Sequence, residues 1–250
     1  MTNNKVSIIT PSYNSSRFIE VTIQSVIKQT YTDWEMVIVD DCSKDNSVDI
    51  IQAYVLKDDR IKLLINSKNK GAAESRNEAL RLASGKYIAF LDSDDTWYSH
   101  KLEKQIQFMK GGDHEFTFSA YDIMSEEGNR LGKSVNVPKE IVYNQYLKNT
   151  IIGCLTVIIN KEKVGYFEMP NIKSSHDMAL WLMIMKRGFS AFGLNEVLST
   201  YRLVNTSNSA NKIKAAKDVW KVYREIESLS LLKSMYCFLN YAFNAICKRI

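Results

Sequence analysis

The chain has 250 residues, 45% of them apolar and only three of them proline, which suits one large α/β domain with a substantial core and argues against long disordered linkers. The net charge is +5, but residues 212–250 carry eight Lys/Arg against three Asp/Glu, so the preceding 211 residues are neutral. A globally basic nucleic-acid binder is therefore not indicated, and a locally basic C-terminal segment is. The four cysteines (Cys42, Cys154, Cys237, Cys247) have no C-x-x-C spacing and read as reduced thiols of a cytosolic protein. The N-terminus opens directly on a strand-like run, so no signal peptide is expected.

Residues 5–10 read as a first strand, broken by Pro11-Ser12-Tyr13-Asn14. Ser15 or Ser16 can cap a helix to about residue 29, with Phe18, Thr22, Ile23, Val26 and Ile27 on one face. Residues 35–39 form a second strand ending in Asp40-Asp41. A helix beginning near 43–46 follows, then a third strand at 61–65 and a helix over 71–83 stopped by Ser84-Gly85. Residues 87–91 make a fourth strand. Strands alternating with short helices predict a Rossmann-like, mostly parallel central sheet flanked by helices. The polar turns after its strands gather at one edge, so 10–14, 40–41 and 92–95 can share a crevice.

Beyond residue 96 the order is mixed. A helix is expected over 101–109, a strand over 115–124, a turn at 126–129 and a strongly apolar strand over 151–159. A helix over 176–186 stops at Gly188. Two β-like runs follow at 190–194 and 197–204, then a polar helix over 212–227 and an apolar helical tail over 228–250. There is no G-x-G-x-x-G and no G-K-[ST], so any nucleotide is held without a dinucleotide fingerprint or a phosphate loop.

The fourth strand ends in Asp92-Ser93-Asp94-Asp95, three carboxylates in four residues, and the next six residues offer only Lys101 as a cationic partner. A divalent cation relieves such a cluster, and carboxylate oxygens suit Mg²⁺ or Mn²⁺. The structural alternative is an acidic loop that caps the next helix through Asp95 or Ser99.

Five stretches carry a family resemblance: Val6-Ser7-Ile8-Ile9-Thr10-Pro11-Ser12-Tyr13-Asn14, Val39-Asp40-Asp41-Cys42-Ser43, Gly71-Ala72-Ala73-Glu74-Ser75-Arg76-Asn77, Asp92-Ser93-Asp94-Asp95 and Ser175-His176-Asp177-Met178-Ala179-Leu180-Trp181-Leu182. In this order, over about 200 residues, the chain resembles the inverting family-2 glycosyltransferases with the GT-A fold. Its tail resembles those that make capsule and teichuronic-type polymers. Cys42 stands where the family usually has Gly, and His176 where an acid often precedes the key Asp.

The resemblance implies a glycosyltransferase domain over 1–210, with a nucleotide-sugar half (1–111) and an acceptor half (112–210), followed by a helical extension over 211–250. It implies a UDP-sugar donor and an acceptor glycan on a lipid carrier. Asp94 is the first candidate for the metal, with Asp92 touching the metal or the ribose. Thr10, Pro11, Tyr13, Asp40, Asp41, Arg76, Asp92 and Ser93 are candidates for the nucleotide; Asp40 could instead hold its turn, and Arg76 could reach the diphosphate or pair with Asp41. Asp177, at a helix start with Ser174 or Ser175 as cap, is the candidate base, the alternative being an acid favoured there by the helix dipole. His176 could tune it; His100 and His114 read as surface residues. Tyr201-Arg202 and residues 205–211 could form a flap.

Two other readings compete. Asp92–Thr96 also fits D-x-D-x-T, the aspartate-nucleophile phosphatase pattern, although three β-α units precede it here. A non-catalytic partner subunit could retain the same fold. In the tail, apolar residues from Leu229 to Ile246 cover most faces of a helix, with Lys and Arg on both sides, but no uncharged 18-residue stretch exists. That pattern predicts peripheral contact with the inner face of the cell membrane; the alternative is packing on the domain or on a second copy of the chain.

Overall fold

Three β-forming runs, at 6–12, 34–40 and 87–90, are buried at every position and must be covered on both faces. The computed structural model, which describes residues 4–172, 174–204 and 212–247, meets that demand with helices on each side of one sheet. In chain order the first half is β1 (Val6–Ser12), α1 (Ile19–Ile27), β2 (Trp34–Asp40), α2 (Ser47–Val55), β3 (Ile61–Ile65), α3 (Ala72–Leu82) and β4 (Tyr87–Phe90). These strands pair in parallel in the order β3-β2-β1-β4, as the strand–helix alternation predicts.

The second half comprises β5 (Thr96–Trp97), α4 (Lys101–Gly111), β6 (Phe116–Met124), β7 (Arg130–Val135), β8 (Glu140–Ile141), α5 (Tyr143–Tyr146), β9 (Ile158–Asn160), α6 (Lys161–Val164), α7 (His176–Lys186), β10 (Ala191–Arg202), α8 (Lys212–Lys221) and α9 (Leu231–Cys247). The sheet continues from β4 through β9, β6 and β10 to β5, with β7 on β6 and β8 on β10. β9 runs antiparallel to both its neighbours, β4 and β6, while β6 and β10 are parallel.

Alternate residues of a strand face opposite layers. Ile8, Met36 and Ile38 pack under Ile19, Ile23 and Val26 of α1, Ile51 of α2 and Leu102 and Ile106 of α4. Ile9, Val37 and Val39 pack on the other face against Ala79 and Leu80 of α3 and Leu180, Leu182 and Ile184 of α7. That second cluster also takes in Val219, Val222, Tyr223, Leu229 and Cys237, so the described part of the C-terminal extension shares the main core.

Several expectations are corrected. β1 does not stop at Thr10 but runs through Pro11 to Ser12, opposite Val39 and Asp40 of β2. Ile9 accepts from Leu91 N on the β4 side, and Pro11 faces that side just beyond the last pairing, where a missing N–H breaks no ladder bond. The apolar run 151–159 is a strand only at its end. Cys154–Thr156 forms a 3₁₀ turn whose carbonyls at Leu155 and Thr156 accept from Trp97 Nε1 and Gln105 Nε2, each at 2.9 Å. The two runs at 190–204 are one strand, β10, with register shifts near Val197. Helix α1 starts at Ile19 without a serine cap; the Ser15 carbonyl accepts from Phe18 N and Ile19 N instead. His114 is not simply a surface residue, since its ring stacks on Phe192 at 3.9 Å.

Candidate active site

The carboxyl ends of β1, β2 and β4 open on a crevice of about 680 Å³, whose far wall comes from α7 and α8. Among the expected residues, Pro11, Tyr13, Asp41, Arg76, Asp92, Ser93, Asp94 and Asp177 line it. Thr10 and Asp40 are fully buried behind that lining.

At the end of β2, Asp40 is surrounded by donors. Its carboxylate accepts from Ser12 Oγ at 3.0 Å, Ser43 Oγ at 2.6 Å and Ser43 N at 2.8 Å. The turn it braces has Cys42 at φ 66°, a left-handed conformation that explains why glycine suits this place. Asp41 turns the other way, accepting from Asn66 Nδ2 at 3.0 Å, Lys70 N at 2.8 Å and Gly71 N at 2.7 Å. It thereby ties the start of α3 to β2. Tyr13, half exposed, projects at the rim beside them.

Arg76 does not pair with Asp41. Only 5% exposed, it donates through Nη2 to Asp92 Oδ1 and through Nη1 to His176 Nε2 at 2.6 Å. A guanidinium has no lone pair to offer, so Nε2 is the acceptor and the imidazole is neutral. Burial first, and the Arg76 charge second, lower the His176 pKa in agreement. Burial opposes the charge on Arg76, but Asp92 and Asp177 more than offset it and its pKa is raised.

The remaining acids after β4 are poorly compensated. Burial, then Asp92, pushes Asp94 up to about 6. Burial, then Asp94 and Asp92, pushes Asp95 well above the usual carboxylate range. Asp95 is not a helix cap: α4 begins after His100, and Asp95 Oδ1 accepts from Arg202 N of β10 at 2.8 Å. Arg202 also donates through Nε to the Asp94 carbonyl at 2.8 Å, so this end of β10 is anchored under the acidic turn. Residues 205–211 of the expected flap lie outside the described residues. Lys101 points away from the cluster, buried with its ammonium on Gln105 Oε1 at 2.6 Å.

Among the described residues, no three His, Cys, Asp or Glu side chains converge as a metal cage. Mg²⁺ and Mn²⁺ do not need one: such cations commonly use one or two carboxylates and complete their shell from substrate phosphates and water. Asp94 and Asp92 fit that role, since they are hard oxygen donors in a crevice where negative charge is already costly.

On the far wall, α7 starts after Ser175, which holds φ 58° and makes no side-chain cap bond. The Ser174 hydroxyl donates to Asp218 of α8 rather than capping α7. Asp177 therefore faces the crevice from the first turn, next to the His176–Arg76 link. Sequence reasoning missed further parts of this wall, among them Tyr121 of β6, Cys154 and Ala215. Nothing in their local sequence marks them, because packing between distant segments puts them there.

Comparison with known proteins supports one reading of this geometry. The family model described as "Glycosyl transferase family 2" matches residues 7–168. The putative teichuronic acid biosynthesis glycosyltransferase TuaG of Bacillus subtilis (strain 168) is 52% identical over all of both chains. WfgD of Escherichia coli, a UDP-Glc:alpha-D-GlcNAc-diphosphoundecaprenol beta-1,3-glucosyltransferase, is 43% identical over 94% of this chain and 91% of its own. Among solved structures, S. aureus TarS 1-349 in complex with UDP-GlcNAc superposes with a TM-score of 0.74 at 22% identity, covering 95% of this chain and 71% of that one. The Pyrobaculum calidifontis mannosyltransferase PcManGT, in complex with GDP-Man and Mn2+, gives 0.73 at 16% identity over 99% and 72%. The D-x-D-x-T reading fits none of this, and its motif would end a first strand rather than the fourth.

Proposed function

The chain belongs to glycosyl transferase family 2, and from that premise we propose that it moves a hexose from a UDP-sugar to a glycan on a membrane lipid, with inversion at the anomeric carbon, in bacterial surface polysaccharide synthesis. The observation that carries the reading is a single crevice onto which Asp41 and Tyr13 of the first half, Asp92 and Asp94 after β4, and Asp177 of α7 all open. The full-length identity to TuaG and the lipid-diphosphate acceptor in the name of WfgD support the acceptor class.

In this mechanism Tyr13 and Pro11 flank the uracil, Asp41 accepts from its N–H, and Ser93 and Asp92 hold the ribose side, with Thr10 and Asp40 shaping the pocket from behind. Asp94, with Asp92, holds Mn²⁺ or Mg²⁺, which when bound neutralises charge on the departing diphosphate. Asp177 takes the proton of the acceptor hydroxyl as its oxygen attacks the anomeric carbon. The bond from that carbon to the phosphate oxygen breaks on the opposite side, and UDP leaves with the electron pair. One in-line displacement inverts the configuration.

The C-terminal extension suits work at a lipid surface. Among the described residues no helix is long and apolar enough to cross a membrane. Yet Leu232, Met235, Tyr236, Leu239 and Phe243 lie exposed along α9, while Ser234 and Cys237 on its other side are buried. Lys214, Lys217, Lys221, Arg224 and Lys233 are exposed around them, which fits peripheral contact with an anionic inner leaflet.

The test is a panel of nucleotide sugars assayed for metal-dependent release of nucleoside diphosphate, with NMR of the product. Transfer from no UDP-sugar, or a product of retained configuration, would reject the proposal.

A further inference from the structure

We propose that Asp218, on the C-terminal extension, is a positioning residue for the base Asp177, acting through Ser174; this rests on the reading of Asp177 as base. Both flanks of Asp177 are tied to other elements. On one side His176 Nε2 accepts from Arg76 Nη1 at 2.6 Å. On the other, the Ser174 hydroxyl donates to Asp218 Oδ2. Ser175, between the two tethers, holds φ 58°, a conformation that non-glycine residues adopt only where their surroundings enforce it.

Ser175 occupies the cap position of α7 and makes no side-chain cap bond, so the first turn is not held by its own cap. The side-chain tether at this end comes from the residue before it, Ser174, whose hydroxyl donates to Asp218 of α8. The partner is anchored: Val219 of α8 and Val222 just after it are buried in the core that holds Met178, Ala179 and Leu182 of α7, and Tyr223 Oη donates to the Leu147 carbonyl at 2.5 Å. Ala215, one turn before Asp218, lines the crevice itself. The extension is thus part of the active-site wall, and Asp218 fixes the rotation with which the first turn of α7 presents Asp177.

The experiment uses the full chain carrying Asp218→Ala or Asp218→Asn. Two properties are read: UDP release from UDP-glucose with an alkyl GlcNAc-diphosphate acceptor, and hydrogen–deuterium exchange over residues 174–179. Asp218→Ala should lower kcat on the order of 10- to 100-fold, the scale of a small misplacement of a reacting group, with UDP affinity unchanged. Exchange over 174–179 should rise in the same variant. Asp218→Asn, which keeps a carbonyl oxygen for Ser174, should restore most of kcat and the slow exchange. Unchanged exchange in Asp218→Ala, a kcat near wild type, or UDP affinity falling in step with kcat would each overturn the proposal. The base reading fails separately, through near-normal turnover of Asp177→Asn, and the exchange measurement reads the tether whether or not that happens.

Discussion

The acids at the end of β2, Asp41 on the crevice and Asp40 behind it, and the acids after β4 sit in opposite conditions. Asp40 and Asp41 accept hydrogen bonds from Ser12, Ser43, Asn66, Lys70 and Gly71. Asp94 and Asp95 are instead pushed up by burial and by neighbouring carboxylates. A buried carboxylate supplied with donors holds loops together. One buried beside its own kind keeps a place for positive charge that arrives with a ligand.

Substitutions in the crevice should have the largest effects. Asp177→Asn should cut turnover by roughly 10²–10⁴-fold while calorimetry with UDP stays unchanged, and Asp94→Ala should lose the part of UDP affinity that a chelator removes. Near-normal turnover in the first, or an unaltered chelator effect in the second, would erase the contrast. The β2 acids should respond in stability. Asp40→Ala strands the donors of Ser12 and Ser43 and should lower unfolding free energy by about 3 kcal/mol, seen as an earlier urea midpoint. An unshifted midpoint would remove Asp40 from the scaffold.

A smaller effect sharpens the contrast through pH. With the Asp94 pKa raised to about 6 from 3.8, the metal-free native state keeps this proton longer than the unfolded chain. Its contribution to stability therefore falls as pH rises from about 4 to about 6, by no more than about 1.4 kcal/mol per pH unit. Thermal unfolding of Asp94→Asn against wild type should show that slope vanish. Mn²⁺ affinity should weaken as pH falls below about 6, because the cation needs the deprotonated form.

The cations divide in the same way, at the smallest scale. Lys101 is sealed in the core with its pKa lowered to about 7 by burial, while Lys217 and Lys221 of α8 stand exposed. Lys217→Gln and Lys221→Gln should each weaken cosedimentation with anionic vesicles by about 1 kcal/mol. Equal sedimentation of the full chain and a chain ending at Glu227 would instead make α9 a packing or oligomerisation surface.

The first 95 residues were legible because β1, β2 and β4 are buried on both faces and the helices between them are amphipathic, so apolar spacing reports the layers directly. The Asp92–Asp95 cluster was legible because unbalanced charge is visible without coordinates. The pairing of Arg76 was not: it depends on how α3, β4 and α7 meet, and Asp41 was as close in sequence logic as Asp92. Residues 151–159 misled because an apolar run reports burial, and a 3₁₀ turn enclosed by Trp97 and Gln105 is as buried as a strand. β7 escaped notice because its mostly exposed residues carry no alternating pattern.

β9 lends only three residues to the sheet, yet it covers the edge of β4 that faces away from β1. As the chain leaves the ribosome, β3, β2, β1 and β4 can assemble from short βα units, but the Tyr87–Phe90 edge stays bare until Ile158 emerges. At 5–20 residues per second that wait of about seventy residues lasts roughly 3–14 s, with an apolar strand open to neighbouring nascent chains. Substitutions that weaken β9 should therefore register first as lost soluble yield, greatest under rapid expression at high temperature, in molecules whose crevice would be competent once folded.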